Sequence, residues 1–161
     1  MPTTVCPTGH YCPTGANAPT ACGVGTYNPT THAYDPAHCL PCPAGKYCTA
    51  KGADAPGGPC DLGFFCVINT ELSSPETEDI DSANPRPPRW GPCPPGFYCE
   101  LGTAYPTPCP VGTFSDNQKN TEVGDCEPCP EGYYCMYTGT SNLNSRPAPV
   151  QCEAGFYCPA G

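Results

Sequence analysis

One short phrase, Cys-x-x-Gly-x-aromatic, recurs eight times in 161 residues, and this repetition constrains the fold more than any other property of the chain. The phrases begin at Cys6, Cys22, Cys42, Cys60, Cys93, Cys109, Cys129 and Cys152. Their glycines are Gly9, Gly25, Gly45, Gly63, Gly96, Gly112, Gly132 and Gly155, and their aromatics Tyr11, Tyr27, Tyr47, Phe65, Tyr98, Phe114, Tyr134 and Tyr157. In a short form a second Cys follows the aromatic at once, at Cys12, Cys48, Cys66, Cys99, Cys135 and Cys158. In a long form it comes 17 residues after the first, as Cys22 to Cys39 and Cys109 to Cys126.

The forms run short, long, short, short, and then repeat that order. The first six cysteines recur 87 residues later, and 19 of the 43 positions in 6–48 match 93–135. The matches are nearly all Cys, Gly, Pro, Thr or Tyr, so the framework is shared and the surface is not. This predicts a first super-repeat over 1–66, an acidic and Pro-rich spacer over 67–92, and a second super-repeat over 93–161. The second copy stops where its own spacer would begin, which predicts an array continuing beyond residue 161.

A phrase this short cannot build a hydrophobic core. Ordering the backbone costs roughly 1–2 kcal/mol per residue, and Leu, Ile, Met and Val are too scarce to offset that by burial. The substitute is covalent: 16 Cys accompany 25 Pro and 18 Gly, the composition of a disulfide scaffold made in an oxidising compartment. No stretch spaces apolar residues for a helix. Gly in the fourth place permits a tight turn, and Pro after many of the cysteines blocks helix growth. The expected fold is therefore small and disulfide-rich, an elongated tandem array of short turn and β modules with little regular secondary structure. The repeated rings are expected to pack on neighbouring disulfides, prolines or rings.

The spacing makes Cys22–Cys39 and Cys109–Cys126 natural pairs, each closing a loop worth about 3 kcal/mol on chain-entropy grounds. The other twelve cysteines, Cys6, Cys12, Cys42, Cys48, Cys60, Cys66, Cys93, Cys99, Cys129, Cys135, Cys152 and Cys158, admit two arrangements. They close locally, as Cys6–Cys12, or cross, as Cys42–Cys60 with Cys48–Cys66. Local closure follows one rule and leaves no orphan at Cys93 and Cys99.

At the long phrases, CGVGTYNP…CLPC and CPVGTFSD…CEPC, the chain resembles the cysteine-rich repeats of ephrin-receptor-type ectodomains and of tumour-necrosis-factor receptors. The mixture of long and short phrases is similar to large cysteine-rich surface proteins of protists and algae, including components of ciliary and flagellar hair filaments. The resemblance implies an extracellular disulfide ladder and brings no catalytic residues with it.

Other chemistries fit less well. The net charge of −9, with six Lys and Arg, excludes the basic stripe that nucleic acid requires. No apolar run reaches the ~20 residues of a membrane span. Cys39-x-x-Cys42 and Cys126-x-x-Cys129 have zinc spacing, yet Cys42 and Cys129 each head a phrase, so they read as module junctions. Glu76, Glu78, Asp79 and Asp81 lack the spacing of a calcium loop. His10, His32 and His38 have no positioned partner in sequence for acid–base work. The expectation is a non-enzymatic chain with no cofactor, metal or catalytic residue. N-linked acceptors are absent, because Asn28 is followed by Pro, whereas Thr3, Thr8, Thr14, Thr20, Thr30, Ser74 and Thr107 lie beside or near Pro as candidate O-glycan acceptors. The expected function is a structural segment of an extracellular filament, coat or surface appendage, joined head-to-tail to copies or neighbouring repeats of the same protein, with other matrix or surface proteins as further partners. An adhesion or ligand-binding ectodomain of a membrane receptor is the alternative.

Overall fold

The computed structural model describes residues 4–77, 88–142 and 147–161. It is a small disulfide-rich fold without α-helix among these residues; its regular structure consists of seven separate two-stranded antiparallel sheets and two 3₁₀ turns, Pro36–His38 and Val123–Asp125. Each sheet is built by one rule. The fifth and sixth residues of a phrase pair with the two residues just before the next phrase, as His10–Tyr11 with Thr20–Ala21 and Phe97–Tyr98 with Thr107–Pro108. The phrase glycine explains why a strand starts there. It sits at positive φ in all eight phrases, which turns the chain sharply out of the Cys-x-x segment and into the extended pair. Pro at or beside the returning strand confines each sheet to two strands.

The chain between paired strands varies in length, so each hairpin is a constant base carrying a variable loop. The longest loop leaves Phe64–Cys66 and returns at Trp90–Pro92, which pair with each other. The 67–92 segment therefore springs from the same base as every shorter loop.

All 16 cysteines are bridged. The short phrases close on themselves, as Cys6–Cys12, Cys42–Cys48, Cys60–Cys66, Cys93–Cys99, Cys129–Cys135 and Cys152–Cys158. The long ones close as Cys22–Cys39 and Cys109–Cys126. The crossed arrangement is not the one adopted. Half-cystines dominate the buried apolar residues, and Cys42, Cys60, Cys66, Cys93, Cys99 and Cys109 are fully enclosed. Among the described residues, the one cluster of carbon packing lies where Phe65 meets the Cys93–Cys99 bridge, with Val67 and Phe97 against it. There an aromatic of one phrase covers the disulfide of the next.

Candidate interaction site: the phrase-to-phrase junction

The chemistry that recurs in this molecule is a set of four backbone hydrogen bonds between successive phrases. In the first, the leading Cys N–H of a phrase donates to the glycine carbonyl of the phrase before. Cys22 donates to Gly9, Cys42 to Gly25, Cys60 to Gly45, Cys93 to Gly63, Cys109 to Gly96, Cys129 to Gly112 and Cys152 to Gly132, all at 2.8–2.9 Å. In the second, each of those glycines returns its own N–H to the seventh position of the following phrase. The acceptors are the carbonyls of Asn28, Cys48, Cys66, Cys99, Ser115, Cys135 and Cys158, at 2.7–3.0 Å.

The third bond runs from a residue just beyond the later phrase to the leading Cys carbonyl of the earlier one. Its donors are His32, Gly52, Asn69, Gly102, Lys119, Gly139 and Gly161. All seven lie at positive φ, between 57° and 80°, in the left-handed region that turns the N–H inward. In the fourth, the seventh position donates to the residue after that left-handed one: Cys12 to Ala33, Asn28 to Ala53, Cys48 to Thr70, Cys66 to Thr103, Cys99 to Asn120 and Ser115 to Thr140. Backbone groups that would otherwise be buried without partners are thus satisfied by the neighbouring phrase.

A fifth contact reaches one phrase further. The α-carbon of each of the first six phrase glycines faces the carbonyl of the left-handed residue two phrases on. A β-carbon at Gly9 would lie 2.0 Å from Gly52 O, at Gly45 2.3 Å from Gly102 O, and at Gly96 2.3 Å from Gly139 O. Glycine is required both for its φ and for this approach. All four bonds are kept between the phrases at Cys60 and Cys93, on either side of the 67–92 segment. The ladder passes the segment without a break.

The segment is tied to the ladder from the side. The Lys119 ammonium is 2.6 Å from Glu76 Oε2 and 5.0 Å from the centre of the Phe64 ring. Arg89 lies over the ring of Trp90, the only tryptophan. A cavity of about 330 Å³ opens here, lined among others by Thr70, Glu71, Leu72, Ser74, Glu76 and Trp90.

The other residues singled out by sequence are dispersed. Cys39 and Cys42 belong to different bridges, as do Cys126 and Cys129. His10 bonds the Thr8 carbonyl, His32 the Thr31 hydroxyl, and His38 stacks edge-on against Tyr34 and bonds the Asp35 carbonyl; the three are not brought together. Among the described residues no group of three or more His, Cys, Asp or Glu is placed to hold a metal. Thr14, Thr20, Thr30 and Thr107 are exposed, and Thr8 and Ser74 half-buried. The Thr30 hydroxyl is already engaged, donating to Asn28 Oδ1 at 2.8 Å. Thr3, Glu78, Asp79, Asp81 and residues 85–87 of the Pro-rich stretch 85–90 lie outside the described residues.

Two features of the junction escape a reading by phrase alone. The left-handed donors fall outside the phrase, although a Gly three or four residues past the seventh position, at Gly52, Gly102, Gly139 and Gly161, is a visible signal. The long phrases also replace Cys at the seventh position by Asn28 and Ser115, and both are buried. No protein-family model matches the chain, and a search of curated proteins returns no match. Eight disulfides in a chain of this length point to an extracellular or secreted protein. No helix among the described residues is long and apolar enough to cross a membrane.

Proposed function

We propose that this chain is a non-enzymatic structural segment of an extracellular filament, coat or surface appendage, built as a self-propagating disulfide ladder. The observation that carries the reading is the recurrence of one junction along the chain, its first three bonds at all seven phrase boundaries and its fourth at six. Modules that bond chiefly to their sequence neighbours extend in one dimension, as repeat proteins do. The partners are then further phrases of the same kind, from neighbouring repeats or other copies, meeting head-to-tail. A contact of unlike faces that does not close propagates as a filament. The net charge of −9 keeps laterally adjacent fibres apart. This reading accords with the likeness to cysteine-rich surface and ciliary-hair proteins.

Electron microscopy of native material tests it. Fibres or an ordered coat that bind an antibody to this chain are the expected result. Isolated single particles at high concentration overturn it. They favour the second reading, an adhesion or ligand-binding ectodomain, for which the cavity beside Trp90 is the specific observation. Sugar on the loops is O-linked in either case, on exposed hydroxyls such as Thr14, Thr20 and Thr107. Intact mass is expected to be unchanged by an N-glycan-removing enzyme, and a mass loss contradicts this.

A further inference from the structure

At the two junctions where a long phrase follows a short one, the seventh position has lost its cysteine. Something else must fill a fully enclosed site and satisfy the backbone around it. The two super-repeats do this differently. In the first, Asn28 does both tasks. Its Nδ2 donates to the His10 carbonyl at 2.9 Å, reaching back to the preceding phrase, and its Oδ1 accepts the Thr30 N–H at 3.0 Å, holding the start of the loop. Beside it Ala33 is 2% exposed and contributes only a methyl group.

In the second super-repeat the equivalents of residues 28, 30 and 33 are 115, 117 and 120, by the 87-residue offset. Ser115 Oγ accepts the Asn117 N–H at 3.3 Å, which is the loop bond again. A hydroxyl on one carbon is too short to reach the preceding phrase as well. That task passes to Asn120, whose Nδ2 donates to the Phe97 carbonyl at 2.9 Å and also to Ser115 Oγ at 2.9 Å. Phe97 is the 87-residue equivalent of His10. The same carbonyl is therefore reached by a buried amide from either of two sites, and the site without the amide holds Ala or Ser.

We infer that positions 28/33 and 115/120 form an exchangeable pair in which one buried carboxamide, supplied from either site, positions a long phrase on the short phrase before it. Each site pair holds one amide and one small residue, so the exchange nearly conserves volume, the kind of swap packed interiors tolerate best. Two amides would overfill the site. None would leave the half-buried position-five carbonyl without its partner, at a cost in stability. The inference stands whether or not the ladder assembles into a fibre.

A double-substitution cycle in the intact chain tests it. Asn120→Ala and Ser115→Asn are made singly and together, so that the pair recreates the arrangement of the first super-repeat. The readout is amide hydrogen exchange at Gly96 and Cys99, whose N–H groups donate to Ser115 and Asn120, with Gly9 and Cys12 as an internal control in the same molecule. Each single substitution is expected to speed exchange at Gly96 and Cys99 by about tenfold or more, Asn120→Ala through an unsatisfied polar group and Ser115→Asn through an overfilled site. The double substitution is expected to restore protection to within a few-fold of the parent. Because local disulfides hold the chain together, loss at this junction is read against intact protection at the other. A double variant as poorly protected as the sum of the two singles, or singles without effect, overturns the inference. The reciprocal set, Asn28→Ser with Ala33→Asn, must behave the same way.

Discussion

The glycine at the fourth place of a phrase is visible in sequence, but only half of its role is. Its freedom to turn follows from the lack of a side chain. The approach of a carbonyl from two phrases away does not, because it depends on how the ladder stacks. Gly45 and Gly15 separate the two requirements. Gly45 has φ +75° with Gly102 O 2.3 Å from any β-carbon, while Gly15 has φ +82° with nothing within 4 Å. Gly15→Ala is expected to cost only the left-handed conformation, about 1–2 kcal/mol. Gly45→Ala adds overpacking against rigid backbone, roughly another 1–3 kcal/mol. Denaturant midpoints of the two variants under oxidising conditions check the order, and equal losses refute it. His32, Asn69 and Lys119 hold left-handed positions where the other junctions use Gly. No sequence rule for the phrase singles them out, since each is selected by where its N–H must point.

At the scale of elements, what sequence made legible is the short strand after each glycine and the closure of the 17-residue long form. The partner strand was harder to read. Thr20–Ala21, Leu40–Pro41 and Gly58–Pro59 share no residue pattern and are fixed by lying just before the next Cys. The 3₁₀ turns were also hidden, because the two copies cap them with different residues. In the first, Asp35 Oδ1 accepts the Ala37 N–H at 2.8 Å at the start of the turn. In the second, Asp125 at the end of the turn reaches back, its Oδ2 accepting the N–H groups of Thr121 and Glu122 at 2.6 and 3.2 Å. The Thr121 amide, then that of Glu122, holds the Asp125 carboxyl below the ordinary Asp value against a small opposing effect of burial. A pKa depressed on folding stabilises above the unfolded value, near 3.8, and that stabilisation disappears as pH falls through the lower folded value. The Thr121 and Glu122 amides are thus expected to keep constant exchange protection, after correction for intrinsic rate, from neutral pH to about pH 5. Protection should fall at lower pH, and Asp125→Asn should hold the parent's reduced acid level of protection from neutral pH downward. Protection that is independent of both pH and the substitution contradicts the role given to Asp125.

For the whole molecule, composition already required covalent stability, because the chain lacks the aliphatic side chains for a core. The structure places sulfur where a core would be. Alkylation without reductant is expected to label none of the 16 cysteines, and heating alone to change the structure little, while a reductant collapses it. A reduced chain that keeps its hairpins would mean a hidden source of stability. Sequence did not disclose that the ladder continues past residues 67–92. A break in composition reads as a break in structure, yet Gly63 and Cys93 bond across it as any other junction does. The reason is that each loop leaves and rejoins the ladder at adjacent strands, so its length is immaterial to the register. Amide hydrogen exchange across the oxidised chain measures that continuity directly. The Gly63, Cys93 and Gly102 amides should be protected as strongly as their equivalents Gly45, Cys60 and Asn69 one junction earlier. If those three exchange freely while the junctions on either side stay protected, the chain is two separate units joined by a linker, and the single continuous ladder is refuted.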